Sequence, residues 1–152
     1  MPRLLVLYHS QDYGHTGQMA AAVAEGARQA GCEVVLHNTN DARFDVATFA
    51  DYDAAAFGSP DYFSYIAGGL KTFLDDHYVL DVRRGVSGLT GKPYALFCSH
   101  GGGGRVAAIM AGLFRRVGTQ VGDTLACRGA PDEAKLEQCR ALGLALAGAA
   151  LG

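Results

Sequence analysis

The stretch Arg3-Leu4-Leu5-Val6-Leu7-Tyr8-His9-Ser10-Gln11-Asp12-Tyr13-Gly14-His15-Thr16-Gly17-Gln18-Met19-Ala20 changes character twice. It opens as an apolar run of strand length, breaks into a polar loop with two glycines, and passes into an alanine-rich segment with helical spacing. A loop that ends where a helix begins carries backbone N–H groups without intrahelical acceptors. With the positive end of the helix dipole, they make a ready site for a phosphate group. Ser10, Thr16 and Gln18 add side-chain donors, while no Lys or Arg lies in the loop, so an anion there is held by neutral groups. Taken alone, the loop reads equally well as a well-capped strand-to-helix turn.

Outward from this stretch, strand-like and helix-like runs alternate. Strands are expected over Arg3–Tyr8, Glu33–His37, Ala54–Phe57, Pro93–Cys98 and Gln120–Cys127, and helices over Thr16–Ala30, Val46–Ala50, Gly69–Asp76, Arg105–Val117 and Asp132–Gly148. Three of the strands are apolar on both faces, as parallel strands covered by helices on each side must be. Gly31 is placed to end the first helix in the left-handed conformation, and Pro131 to start the last. Five such units in series imply right-handed crossovers and an α/β fold with a doubly wound five-stranded parallel sheet, helices on both faces. Residues 82–92 (VRRGVSGLTGK) form the one sizeable connection without an element of its own, and no repeat or linker divides the chain, so a single domain over residues 1–152 is expected.

Composition narrows the function classes. The chain has 152 residues, 49% of them hydrophobic, enough for one domain with a full core. Thirteen basic against fifteen acidic residues give a net charge of −2, no electrostatic case for nucleic acid. No run is long enough to span a bilayer and no secretory leader pattern opens the sequence. Cys32, Cys98, Cys127 and Cys139 show neither disulfide-framework nor metal-ligand spacing, and the five histidines are scattered over different elements. Reduced, buried thiols, no metal site and a cytoplasmic setting are the expectation.

In a sheet of this kind, ligands sit outside the carboxyl ends of the strands, where the strand order reverses. Three segments reach that edge. The first is the loop of residues 10–18. The second, Gly58-Ser59-Pro60-Asp61-Tyr62-Phe63-Ser64-Tyr65, carries three aromatics. The third is Ser99-His100-Gly101-Gly102-Gly103-Gly104-Arg105. Each has a plain structural reading: aromatics closing the core, a flexible turn, exposed histidines. Yet four consecutive glycines cost chain entropy and suggest close backbone approach to something. A donor-lined cradle, an aromatic wall and a glycine shelf at one edge suit a flat, aromatic, phosphorylated ligand.

These motifs resemble those of the flavodoxin-like FMN proteins over essentially the whole chain. They look most like the NAD(P)H:quinone oxidoreductases first described as tryptophan-repressor-binding proteins. The resemblance rests on Tyr13-Gly14-His15 with Met19-Ala20, Gly58-Ser59-Pro60-x-x-Phe63, Lys71-Thr72-Phe73-Leu74-Asp75 and the glycines after Ser99. It implies strand order 2-1-3-4-5 and an FMN whose phosphate lies on Ser10, Gln11, Tyr13, Gly14, His15, Thr16, Gly17 and Gln18. The ring would lie between Pro60, Asp61, Tyr62, Phe63, Ser64 and Tyr65 on one side and Ser99, His100, Gly101, Gly102, Gly103 and Gly104 on the other. His100 is the candidate catalytic residue, a positive charge at the pyrimidine edge that Asp61 would oppose. The first loop is one residue longer than in those reductases, and the insertions linked to their tetramers are absent.

Other phosphate-edge families fit worse. A response-regulator receiver needs an acidic cluster after the first strand and an Asp after the third, where this chain has Tyr8-His9-Ser10 and glycine with serine. A cysteine phosphatase loop encloses five residues between Cys and Arg, whereas Cys98 and Arg105 enclose six. A Walker loop would follow Lys92 with Ser or Thr rather than Pro93. Three classes remain: a reductase passing electrons from NAD(P)H to a quinone or similar acceptor, a flavodoxin-type carrier, and a non-catalytic binding module. Carriers tend to be strongly acidic to steer basic partners, which this chain is not. The partners expected are therefore a small-molecule electron donor and acceptor, with a homo-oligomer possible.

Overall fold

The computed structural model describes residues 1–152. In chain order it comprises β1 (Arg3–Tyr8), α1 (His15–Gln29), β2 (Glu33–Asn38), β3 (Ala54–Pro60), α2 (Gly68–Tyr78), β4 (Lys92–His100), α3 (Val106–Leu113), β5 (Gly118–Gln120), β6 (Leu125–Arg128) and α4 (Glu133–Leu151). All pairings are parallel, in the order β2-β1-β3-β4-β5, with β6 also on β4. The expected order 2-1-3-4-5 is therefore observed.

Alternation along β1 shows how the layers form, because successive side chains of a strand point to opposite faces. Leu5 and Leu7 enter one core with Phe57, Leu70, Phe73, Leu96, Met110 and Phe114, under α2 and α3. Leu4 and Val6 enter the other with Met19, Val23, Ala56, Phe97, Cys139 and Leu146, under α1 and α4. The latter pair of helices meets at backbone distance: a Cβ on Gly26 would overlap the carbonyl oxygen of Arg140, and one on Gly143 that of Val23. Glycine at these two positions lets the helix backbones meet directly, without side chains between them. All four cysteines are buried and unpaired. Burial pushes the Cys98 and Cys139 thiols up to about 11.

Several expected elements are redrawn. The continuous fifth strand Gln120–Cys127 is two short strands, β5 and β6, separated by an excursion after Val121, whose N–H still donates to Tyr94 O of β4 at 2.7 Å. Gly122 adopts φ +69° and the Gln120 amide donates to Thr124 Oγ1 at 3.0 Å, so a side-chain staple holds the chain off the ladder. Val46–Asp51 is a 3₁₀ helix, not an α-helix, capped by Asp45, which accepts from Ala47 N. The third helix is shorter than expected and ends in a 3₁₀ turn at Arg115–Val117. Part of the expected loop 82–92 is structured, since α2 runs on into a π-helical turn at Val79–Arg83. Pro131 lies one residue outside the last helix, whose N-cap is Asp132, accepting from Lys135 N at 2.8 Å. Gly31 takes the left-handed conformation expected of it, φ +92°, just past α1. No helix is long and apolar enough to cross a membrane.

Candidate functional site

The loop between β1 and α1 is built to leave donors free. Gly14, at φ +71°, is the N-cap of α1 and has no side chain to give. Ser10 supplies the missing cap from seven residues upstream: its Oγ accepts from Gly17 N at 3.0 Å. Gly17 permits this, because a Cβ there would stand 3.1 Å from Ser10 Oγ. Gly14 N donates to Gln11 O and Gln18 N to Gly14 O. The backbone N–H groups of Gln11, Asp12, Tyr13, His15 and Thr16 donate to no acceptor in the chain. Five free donors at a helix N-terminus fit a phosphate monoester.

Beside them lies a cleft of about 160 Å³, lined by residues 10–16 with Pro60, Tyr62 and Ser99. Thr16 is buried, and its Oγ1 shares a 2.7 Å hydrogen bond with Ser99 Oγ, tying α1 to the end of β4. Tyr13 stacks on His15 at 5.6 Å between centroids and is otherwise exposed. Gly17 and Gln18 stand outside the cleft lining, their amides spent on the cap and the helix.

The expected three-aromatic wall is only partly formed. Tyr62 and Tyr65 exchange two backbone hydrogen bonds of 3.0 Å across Phe63 and Ser64, at φ +57° and +60°. That is the pattern of a type I′ hairpin turn, here made without glycine or asparagine and hence under strain. Its tip throws Phe63 wholly into solvent. Tyr62 alone of the three lines the cleft, edge-on to His9 at 5.9 Å. Burial raises the Tyr62 hydroxyl pKa, and the Asp12 carboxylate raises it further. Asp61 turns the other way: its N–H donates to Ser99 O at 3.0 Å, and its carboxylate accepts a long hydrogen bond of 3.4 Å from Val106 N at the start of α3. It joins the two loops and sets a negative charge beside the glycines.

Gly101, Gly102 and Gly103 are exposed, without the left-handed backbone or close neighbours that would demand glycine. Gly104 alone has that backbone, φ +67°, and a Cβ on it would stand 2.9 Å from His100 Nε2. His100 therefore packs against Gly104 instead of standing free on the shelf, and its Nδ1 is buried without a hydrogen-bond partner. His100 is the last residue of β4, and the left-handed turn at Gly104 brings the following loop back over its ring. Three participants escaped the sequence reading: Asp12 in the cleft, and His9 and Asn38 behind it. The loop offered one hint of Asp12, being otherwise free of charge.

The family model for flavodoxin matches residues 6–143. The chain belongs to the flavodoxin family. It is 42% identical over 93 residues to a protein named NAD(P)H dehydrogenase (quinone) from Paracoccus denitrificans, covering 49% of this chain and 44% of that one. It is 37% identical over 131 residues to NAD(P)H dehydrogenase (quinone) 3 of Rhizobium meliloti, covering 73% and 60%. The chain thus spans about half the length of the curated relatives it matches. The structure of a flavodoxin, WrbA-like protein from Agrobacterium tumefaciens superposes with a TM-score of 0.80 over 99% of this chain and 98% of that one, at 22% identity. The resemblance read from the motifs is borne out at the level of family and fold.

Proposed function

We propose that this flavodoxin-family chain binds FMN and works as an NAD(P)H-dependent reductase that delivers electrons to a quinone or similar small acceptor. The observation that carries the reading is the set of five unpaired N–H groups on residues 11–16 beside the cleft. They would hold the phosphate, with the Ser10 hydroxyl proton as a further donor. Tyr62 and the Gly101–Gly104 loop would flank the ring. Bound FMN supplies the electron-carrying chemistry; the chain orients it and sets its electrostatics. The Asp61 carboxylate opposes negative charge at the ring, and the His100 imidazole lies beneath Gly104 at the glycine loop. The donor and acceptor follow the names of the relatives. The four buried, unpaired thiols suit a cytoplasmic setting, and a homo-oligomer is compatible with this reading.

Titrating the apoprotein with FMN and with riboflavin tests the cradle. FMN should quench on binding and bind far more tightly, since each hydrogen bond to a charged group contributes about 1.5–3 kcal/mol. Equal affinities would remove the phosphate role. Anaerobic mixing of the FMN-loaded protein with NADH or NADPH should then bleach the flavin absorbance within seconds. A second reading, a carrier serving protein partners, is favoured by Asp61, whose charge beside the glycines disfavours full reduction of the ring. Absence of bleaching with either nucleotide, together with rapid electron exchange with redox proteins, would select it.

A further inference from the structure

We infer that Asn38, at the end of β2 and outside the cleft, is the positioning residue that sets the phosphate loop for binding. β2 runs alongside β1 in register, pairing Tyr8 with Asn38, the last pair of the ladder. Beyond it the Asn38 side chain continues the pairing in place of backbone. Its Oδ1 accepts from Ser10 N at 3.0 Å and its Nδ2 donates to Ser10 O at 3.0 Å. The same Oδ1 accepts from Asn40 N at 3.0 Å, which orients the amide from its own side. Next to it, Thr39 N donates to Tyr8 O at 2.8 Å, so the two strand ends are locked together.

The consequence falls on Ser10. Clamped at both its N–H and its C=O, Ser10 has its backbone fixed, which places its Oγ to accept from Gly17 N as the surrogate cap of α1. With that cap made upstream, residues 11–16 are free to present their N–H groups to a ligand. Asn38 thus acts on the phosphate through Ser10 without touching it. An asparagine is suited to this, since a carboxylate lacks the donor for Ser10 O and an aliphatic side chain lacks both groups.

The inference rests on residues 10–16 being the phosphate cradle of bound FMN, and the test separates the two. Dissociation constants for FMN and riboflavin are measured for the wild type, Asn38→Leu and Asn38→Ala, with hydrogen exchange of the Ser10 and Gly17 amides in the apoproteins. The loss of two ordering hydrogen bonds should weaken FMN roughly tenfold or more, leave riboflavin within about twofold, and speed exchange at both amides. Should Asn38→Leu fail to fold, Asn38→Ala carries the same readout. A merely structural Asn38 would lower melting temperature and both flavin affinities together, leaving their ratio fixed, and that outcome overturns its role. A wild type that binds both flavins equally overturns the cradle instead.

Discussion

Replacing Gly104 by Ala should separate what the glycine run does for the fold from what it does for a ligand. Gly104 sits at φ +67°, where an L-residue loses roughly 1–2 kcal/mol. Its new methyl would stand 2.9 Å from His100 Nε2 and 3.2 Å from Cδ2 and Cε1, so the imidazole must tilt away. Together these should destabilise the apoprotein by about 2 kcal/mol, lowering Tm by about 4–8 °C in a domain of this size. Gly102→Ala meets nothing within 4 Å on an ordinary backbone and should leave Tm unchanged. If the shelf receives the flavin ring, the bulkier Gly102→Val should keep its stability and lose FMN affinity. In the Gly104→Ala, His100→Ala double variant the steric part vanishes and the backbone part stays, so the second substitution should cost less than it does alone. Thermal unfolding by circular dichroism and FMN titration read both quantities. Equal Tm losses at Gly102 and Gly104 would refute the reasoning, since the structure assigns the backbone requirement to one position only.

Three further outcomes follow from other parts of the structure. Thr16→Val orphans the buried Ser99 hydroxyl and should cost about 1–3 kcal/mol by urea denaturation, whereas adding Ser99→Ala should recover part of it; strict additivity would argue against the 2.7 Å bond. His77 is fully buried, its Nδ1 accepting from Arg116 at 2.8 Å and its Nε2–H donating to Leu89 O at 2.6 Å. Burial, chiefly, and the Arg116 and Lys92 charges lower its pKa against the opposing Leu89 bond and Asp81. The unfolded chain therefore binds the proton more readily: this contribution to stability is full above about pH 6.5 and declines as pH falls toward the lower folded value, by at most about 1.4 kcal/mol per pH unit. His77→Gln should flatten that slope in pH-dependent denaturation, and an unchanged slope would exclude His77 as its source. Gly143→Ala forces a methyl into the Val23 carbonyl and must separate α1 from α4, so a loss above about 3 kcal/mol is expected; a neutral result would mean the helices are less tightly crossed.

Period and punctuation made the sheet legible in the chain itself. Strands β1, β3 and β4 read as apolar runs because both their faces are covered, and Gly31 marks the end of α1 through its backbone freedom alone. The free N–H groups between β1 and α1 were legible for the same reason: a polar glycine loop running into a helix start leaves donors without intrahelical acceptors. What depended on neighbours distant in sequence was decided only by tertiary structure. Gly122 and the Gln120–Thr124 staple break the fifth strand, though its residues look continuous. The Thr16 hydroxyl, read as a phosphate donor, shares its hydrogen bond with Ser99, 83 positions away, and only the Thr16 N–H is left free. Asp61 is drawn to the start of α3, and His100 lies under Gly104 because the chain turns back over the end of β4. Asn38 could not be found from spacing, since its partner Ser10 becomes adjacent only when β1 and β2 pair. Local conformation follows from the residues in one short window; the direction a side chain takes at a strand end follows from what the fold packs against it.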